Sequence, residues 1–331
     1  MTKLAPAALL AKITDSLAVS GSSFATLNTE KPFLLALDDK LHEQPVRIFI
    51  WNITHGGATR NPNEYRIQVT PAMPTPRDDE KIVVLGWYED LEVFAAWDPA
   101  SHSERTATSP SLQVGLDHLQ AALTNGIDVE RRGSGDTVVI FKPDLLSFYL
   151  DSAEEIHSLT VSEILSVISD DQDRATSPSM ASAPIPDRSI VERIVAKRYR
   201  DATFSRRVRE AYENTCVVCG VQLSLIEAAH ILPVAVNGST DETSNGIALC
   251  RNHHYAFDVG LFTFDNQFKF RLVAKRLLEL DSLGLTSGLP LLSQYDGQPM
   301  LKRPANAVDR PSANFMKLGR IARDVDDEFL D

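Results

Sequence analysis

Three cysteines are all that 331 residues contain, and with one histidine they form two pairs at metal-ligand spacing. Cys216-Val217-Val218-Cys219-Gly220 is the first pair and Cys250-Arg251-Asn252-His253 the second. Zinc takes four N/S ligands in a tetrahedron, and a C-x-x-C turn closed by glycine presents two thiolates from one hairpin. Cys250 and His253 supply the other two. A structural Zn2+ held this way forces the intervening chain to double back until both pairs meet, which constrains the fold more than any other feature. Reduced cysteines on zinc also fit the cytoplasm better than an oxidising compartment.

Between the pairs lie polar groups that a structural zinc site does not need. Glu227-Ala228-Ala229-His230-Ile231-Leu232-Pro233 reads as a strand ending in a histidine. A loop follows through Asn237-Gly238 and Asp241 to Ser244-Asn245-Gly246, and Arg251 to Asp258 reads as a short helix stopped by Gly260. His254 and Asp258 are four residues apart on that helix, so they leave the same face. This is the outline of a one-metal nuclease site: the helix offers two ligands, and a strand histidine facing them can deprotonate water.

His230, Asn245 and His254, framed by the two zinc knuckles, resemble the HNH endonucleases, the ββα-metal nucleases. The closest branch reads "AAHI…P…NG-ALC--HH--FD-GLF". This chain has Ala228-Ala229-His230-Ile231, Asn245-Gly246-Ile247-Ala248-Leu249-Cys250, His253-His254 and Phe257-Asp258-Val259-Gly260-Leu261-Phe262. The resemblance covers about residues 204–272. It implies that His230 is the general base, that Asn245 pins the loop or joins the metal, and that His254 is a metal ligand. Two departures stand out. Many members place an Asp or His ligand just before the base, where this chain has Ala229, which leaves Asp258 to replace it; and the fourth zinc ligand, usually cysteine, is His253. The implied chemistry is phosphodiester hydrolysis with one catalytic divalent metal (Mg2+, Mn2+ or Ni2+) held by His254 and Asp258.

A net charge of −12 looks wrong for a protein that binds double-stranded DNA. Charge is local, however. From Asp187 to Glu210, Arg188, Arg193, Lys197, Arg198, Arg200, Arg206, Arg207 and Arg209 face four acids, just before the first knuckle. Of these, Arg206, Arg207 and Arg209 are the candidate phosphate contacts. No apolar run has membrane-spanning length and no leader pattern opens the chain, so a soluble protein that stays where it is made is expected.

The fold class expected is α+β: an N-terminal, mostly antiparallel sheet domain over residues 1–157, a linker at 158–187, and a zinc-stabilised HNH domain over 188–331. Residues 170–186 hold three prolines and no apolar period, as linkers do. Upstream, Val46–Thr54, Glu64–Thr70, Lys81–Trp87, Leu91–Trp97 and Thr137–Lys142 read as strands, with helices near Ala7–Val19, Leu112–Thr124 and Pro143–Leu150. Trp51, Trp87 and Trp97 read as core. Arg60 and Arg66, beside the glycines of His55-Gly56-Gly57, are the N-terminal candidates for DNA contact. After the site, Leu261–Arg271 reads as a hairpin turning at Asp265-Asn266, and the remainder reads as irregular, ending in the acidic run at 324–328.

The reading that joins these features is a DNA endonuclease of restriction type, acting as a homodimer if it is to cut both strands. An N-terminal sensor controlling a nuclease, and a non-catalytic zinc module that binds nucleic acid, are the alternatives.

Overall fold

Every residue of the strand Val93–Trp97 is buried. Side chains on a strand alternate between faces, so this requires cover on both sides of the sheet. The two faces feed separate cores: Phe94 and Ala96 pack with Ile48, Ile50, Leu85, Trp87 and Phe141, whereas Val93, Ala95 and Trp97 pack with Val84, Val138, Ile140 and Leu119.

The computed structural model describes residues 3–37, 44–57, 59–70, 74, 79–102, 110–133, 135–176 and 188–325. Two units separate. Of the described residues, one holds those up to Asp171 together with 188–202; the other holds 172–176 and the residues from Thr203 onward. The N-terminal unit contains α1 (Pro6–Val19), β1 (Phe24–Asn28), β2 (Phe33–Leu37), β3 (Val46–Asn52), β4 (Thr54–His55), β5 (Glu64–Gln68), β6 (Lys81–Tyr88), β7 (Val93–Trp97), β8 (Ser111–Gly115), α2 (Leu116–Asn125), β9 (Ile127–Arg131), β10 (Thr137–Phe141) and α3 (Leu146–Ser158). Helices α4 (Val161–Thr176) and α5 (Ile190–Ala211) follow.

The main sheet runs β1-β2-β3-β6-β7-β10-β9, and β4-β5-β8 form a second, three-stranded sheet. The expectation of a mostly antiparallel sheet holds with one exception, since β3 and β6 are parallel in register Val46↔Lys81 to Asn52↔Trp87. The chain leaves β3, builds β4 and β5 in the other sheet, and returns; a parallel neighbour needs such a crossover, where a hairpin would suffice for an antiparallel one. Trp87 and Trp97 are core as expected. Trp51 is half-buried, stacked with Phe49 and capped by the Lys31 ammonium 4.1 Å from its ring centre.

Two local readings differ from the structure. Part of the span read as linker is helix α4, whose Ile164, Val167 and Ile168 join the first core; residues 177–187 lie outside the described residues. The helix read at Leu112–Thr124 starts at Leu116, because Ser111–Gly115 pairs with β5 and its Leu112 and Val114 alternate into the second core. Among the described residues no helix is long and apolar enough to cross a membrane.

The C-terminal unit has its own core. Phe204 and Val208 of α5, Ile231, Ile247, Leu249, Phe257, Phe262, Phe264 and Phe270 meet there. Strands β11 (Ile226–His230) and β12 (Gly246–Cys250) pair antiparallel, and α6 (Arg251–Asp258) starts directly after β12. Gly246 is required: a Cβ there would lie 2.2 Å from Val208 Cγ2, so α5 rides directly on the strand. The hairpin β13 (Phe262–Phe264) and β14 (Phe270–Leu272) turns at Asp265, whose Oδ1 accepts from the Gln267 and Lys269 amides. Beyond it the region read as irregular is helical in part, with α7 (Ala274–Ser282), α8 (Pro290–Ser293) and α9 (Ala313–Ala322). The acidic residues from 326 lie outside the described residues.

Candidate active site

The four predicted zinc ligands meet. The ligand atoms of Cys216, Cys219, Cys250 and His253 all lie within 4.8 Å of one another. Gly220, at φ +73°, lets its amide turn back to donate to the Cys216 carbonyl at 2.9 Å, which closes the knuckle. Val217 N–H donates to the Ala248 carbonyl at 3.0 Å, tying the knuckle to β12. Sulfurs on one tetrahedral zinc, at about 2.3 Å bonds, sit about 3.8 Å apart. Cys219 Sγ and Cys250 Sγ are 3.9 Å apart, so the donor set and its spacing fit zinc. Without a cation, one thiolate suppresses the others: a hydrogen bond from Cys250 holds Cys216 low, while the same bond raises Cys250 and burial raises Cys219. A divalent cation is the group that would let all three ionise together.

The HNH residues occupy the ββα frame made by β11, β12 and α6. His230 ends β11 with its ring stacked on Phe204, centroids 3.8 Å apart and planes 13° from parallel. Its Nε2 lies 3.1 Å from Asp241 Oδ1. With Nε2–H donating to Asp241, Nδ1 would be the ring nitrogen left to accept a proton. Arg207 in turn donates to the Asp241 carbonyl at 2.8 Å.

Asn245 is fully buried and all its polar capacity goes to the loop. Its Oδ1 accepts from Leu232 N–H at 2.8 Å, and its Nδ2 donates to the Thr240 carbonyl at 2.8 Å and to Ser239 Oγ at 3.2 Å. Of the two roles left open by the resemblance, pinning the loop is the one these bonds support. The Asn245→Ala substitution should strand the Leu232 amide and the Thr240 carbonyl and cost roughly 1–3 kcal/mol for each group left unpaired. Urea unfolding of the full chain measures this, and an unchanged midpoint would show that the loop does not depend on Asn245.

On α6, His254 Nε2 faces Asp258 Oδ2 at 3.3 Å and His254 Nδ1 faces Glu227 Oε2 at 2.8 Å. Burial would depress this imidazole, but Asp258 and Glu227 outweigh it and lift the ring to about 9. The His254 contact, with Arg251 beside it, holds Glu227 low; Asp258 is held low by His254 and Arg323 against the opposing effect of burial. The site thus draws positive charge. Two cis ligands on an ion with bonds of about 2.1 Å are about 3.0 Å apart, close to the separation of His254 Nε2 and Asp258 Oδ2, so this pair fits a small divalent cation. Were a metal held at Nε2, Glu227 would be the carboxylate that orients the imidazole through its other nitrogen.

Sequence reasoning passed over four contributors. Phe204 and Asp241 orient His230, Glu227 orients His254, and Arg323, just after α9, donates through one nitrogen to both the His230 carbonyl (3.0 Å) and Asp258 Oδ1 (3.3 Å). For Glu227 a signal existed, since it lies three residues before His230 on a strand leading to a histidine-bearing helix. Arg323 had no local signal.

The predicted DNA contacts fare unevenly. Arg209 is buried, its Nε turned back to the Ser205 carbonyl of its own helix, so it is not a surface phosphate contact; apolar packing of α5 at Phe204 and Val208, and of Tyr212 just after it, draws position 209 inward. Arg206 and Arg207 are half-buried. Arg60 pairs with Glu64, and Arg66 on β5 donates to Ser111 Oγ at 3.3 Å.

Two family models match the chain. Residues 44–150 match one described as "Methylase-associated X1", and residues 216–265 match one described as "HNH endonuclease". No curated protein matches. Among solved structures, one described as a modification dependent TagI restriction endonuclease aligns over 84% of this chain and 81% of that chain, at 10% identity and a TM-score of 0.29. The 216–265 match falls on the zinc knuckles, β11, β12 and α6, where the geometry above is built. The chain therefore carries, in its C-terminal unit, an HNH endonuclease domain.

Proposed function

We propose that this protein is a DNA endonuclease of restriction type, in which the C-terminal HNH site hydrolyses phosphodiester bonds and the N-terminal unit selects the DNA. The observation that carries the reading is the single guanidinium nitrogen of Arg323 that touches both the His230 carbonyl and Asp258. It supports the reading because the strand end that carries His230 and the helix that carries His254 and Asp258 share one side-chain contact, as hydrolysis by one site would require. In the proposed chemistry, His230 Nδ1 takes the proton from the attacking water, and Asp241 stabilises the imidazolium that results. Phe204 keeps the ring in plane. A divalent ion on His254 and Asp258 would neutralise charge at the scissile phosphate and the leaving oxygen. Glu227 fixes the rotation of His254, and Asn245 holds the loop that carries Asp241.

The description of the 44–150 match as methylase-associated supports a link between substrate choice and DNA methylation. Double-stranded DNA is the proposed substrate, with Arg60, Arg66, Arg206 and Arg207 as candidate phosphate contacts. Zinc-loaded full-length protein should therefore cut plasmid and genomic DNA with Mg2+, Mn2+ or Ni2+, and its rate should differ at least tenfold between methylated and unmodified copies of the same DNA. Gel analysis with sequencing of the ends reads both. No cleavage with any of the three ions would remove the nuclease reading, and equal rates on both DNAs would remove the methylation link alone.

A further inference from the structure

Position 323 lies outside both family matches, yet its side chain reaches the centre of the site. The side chain is only 7% exposed. Nη1 donates to the Ile231 carbonyl at 2.5 Å and the Gly319 carbonyl at 3.3 Å, while Nη2 donates to the His230 carbonyl and to Asp258 Oδ1. Its carbon lies 4.2 Å from the ring centre of Phe257, on the helix that carries Asp258. The guanidinium thus bonds to three segments: the end of β11, the end of α6 and the last turn of α9.

Burying an arginine costs several kcal/mol unless its donors are met. Here one carboxylate, itself half-exposed, and three carbonyls meet the Nη1 and Nη2 groups, while the buried Nε has no hydrogen-bond partner among the described residues. A residue serving the stability of α9 alone would have no need of Asp258. The division of Asp258 is informative: Oδ1 faces Arg323 and Oδ2 faces His254. Holding one oxygen fixes the rotamer that turns the other toward the imidazole.

A second, independent feature brings α9 to the same place. A Cβ at Gly319 would meet the Ile231 carbonyl oxygen at 2.4 Å, so only glycine lets the helix approach this closely. Gly319 and Arg323, one turn apart, therefore hold the same stretch of backbone.

We infer that Arg323 is a positioning residue of the nuclease: it holds the His230 carbonyl and the Asp258 carboxylate in fixed register, so that general base and metal ligand address one phosphate. This rests on the function proposed above. Displacements of about 1 Å in such a pair cost up to roughly a hundredfold in rate, and the loss of groups that orient metal ligands typically costs about 10–100-fold in affinity or activity.

The test uses zinc-loaded full-length protein with Arg323→Met, Arg323→Lys and Gly319→Ala, each checked for folding by its melting curve. Mn2+ affinity is read by electron paramagnetic resonance, without DNA, and plasmid nicking is read separately below the melting range. Arg323→Met should weaken Mn2+ about tenfold or more and lower kcat with little change in KM. Arg323→Lys should regain most of the Mn2+ affinity, because an ammonium can still meet Asp258, but not kcat, because it cannot span two carbonyls as well. Gly319→Ala should resemble Arg323→Met with the guanidinium still present. If folded Arg323→Met stays within twofold of wild type in both readings, whatever its melting temperature, the inference is wrong. Should Arg323→Met fail to fold, the other two decide: a tenfold fall in kcat in either supports the clamp, and both within twofold overturns it. Wild type that binds Mn2+ without cutting DNA would count against the proposed function, while the Mn2+ shift in the variants would still report on the clamp.

Discussion

Replacing His230 by alanine is expected to lower phosphodiester cleavage by about two to four orders of magnitude, the range for a positioned general base, while Mn2+ binding and DNA binding stay near wild type. The expectation of unaltered metal binding comes from geometry. His254 and Asp258 face each other, whereas the His230 ring is taken up by Phe204 and Asp241. His254→Ala should do the opposite and weaken the ion itself. Asp241→Asn is the intermediate case: an amide cannot stabilise the imidazolium as a carboxylate does, and its NH2 can face Nε2 and reverse the tautomer, so a fall of roughly ten- to a hundredfold is expected. Single-turnover cleavage at pH 6 to 8 reads all three. A His230→Ala protein that cuts at the wild-type rate across that range would require another base.

The second large effect concerns zinc. Cys219→Ser should purify with well under one zinc per chain, and the C-terminal unit should melt at least about 10 °C lower or fail to melt cooperatively. The four ligands come from the knuckle, the last residue of β12 and the first turn of α6. They therefore join the elements that carry the proposed catalytic groups. Binding of structural zinc is worth about 10–16 kcal/mol in small zinc domains, more than a typical domain has in reserve. Because four protein ligands leave no open position for water, added Mg2+ should not restore a zinc-stripped wild type, whereas Zn2+ should. Metal analysis beside a thermal scan decides this, and a Cys219→Ser protein with full zinc and an unmoved transition would refute it.

What the sequence disclosed and what it hid divide along physical lines. The zinc set, the β11–β12–α6 frame and the hairpin after it were legible because their determinants are local: ligand spacing, an i,i+4 pair, a glycine stop and alternating aromatics. The strand at Val93–Trp97 was legible as a strand, but not as one covered on both faces. β1, β2 and β9 were missed; β1 in particular is largely exposed and β2 is apolar throughout, so neither shows the alternation that marks a strand. The basic stretch before the first knuckle read as a set of phosphate contacts, yet Arg209 is inside because Phe204 and Val208 set which side of α5 turns inward. Asp241 was seen as part of a loop and not as the partner of His230, and Arg323 meets the site across 93 residues of sequence. Pairings of that kind have no period to detect.

The stacking of Phe204 beneath His230 bears on how this nuclease could be moved into other proteins. A segment cut at the edges of the HNH match, 216–265, would contain every zinc ligand and every motif residue. It would still lose the aromatic floor of the base at one end and the guanidinium clamp at the other. The transplantable piece is instead about residues 203–325, and its first cut falls inside a continuous helix, so a fusion partner must supply a helical C-terminus in phase with α5 and not a flexible tether.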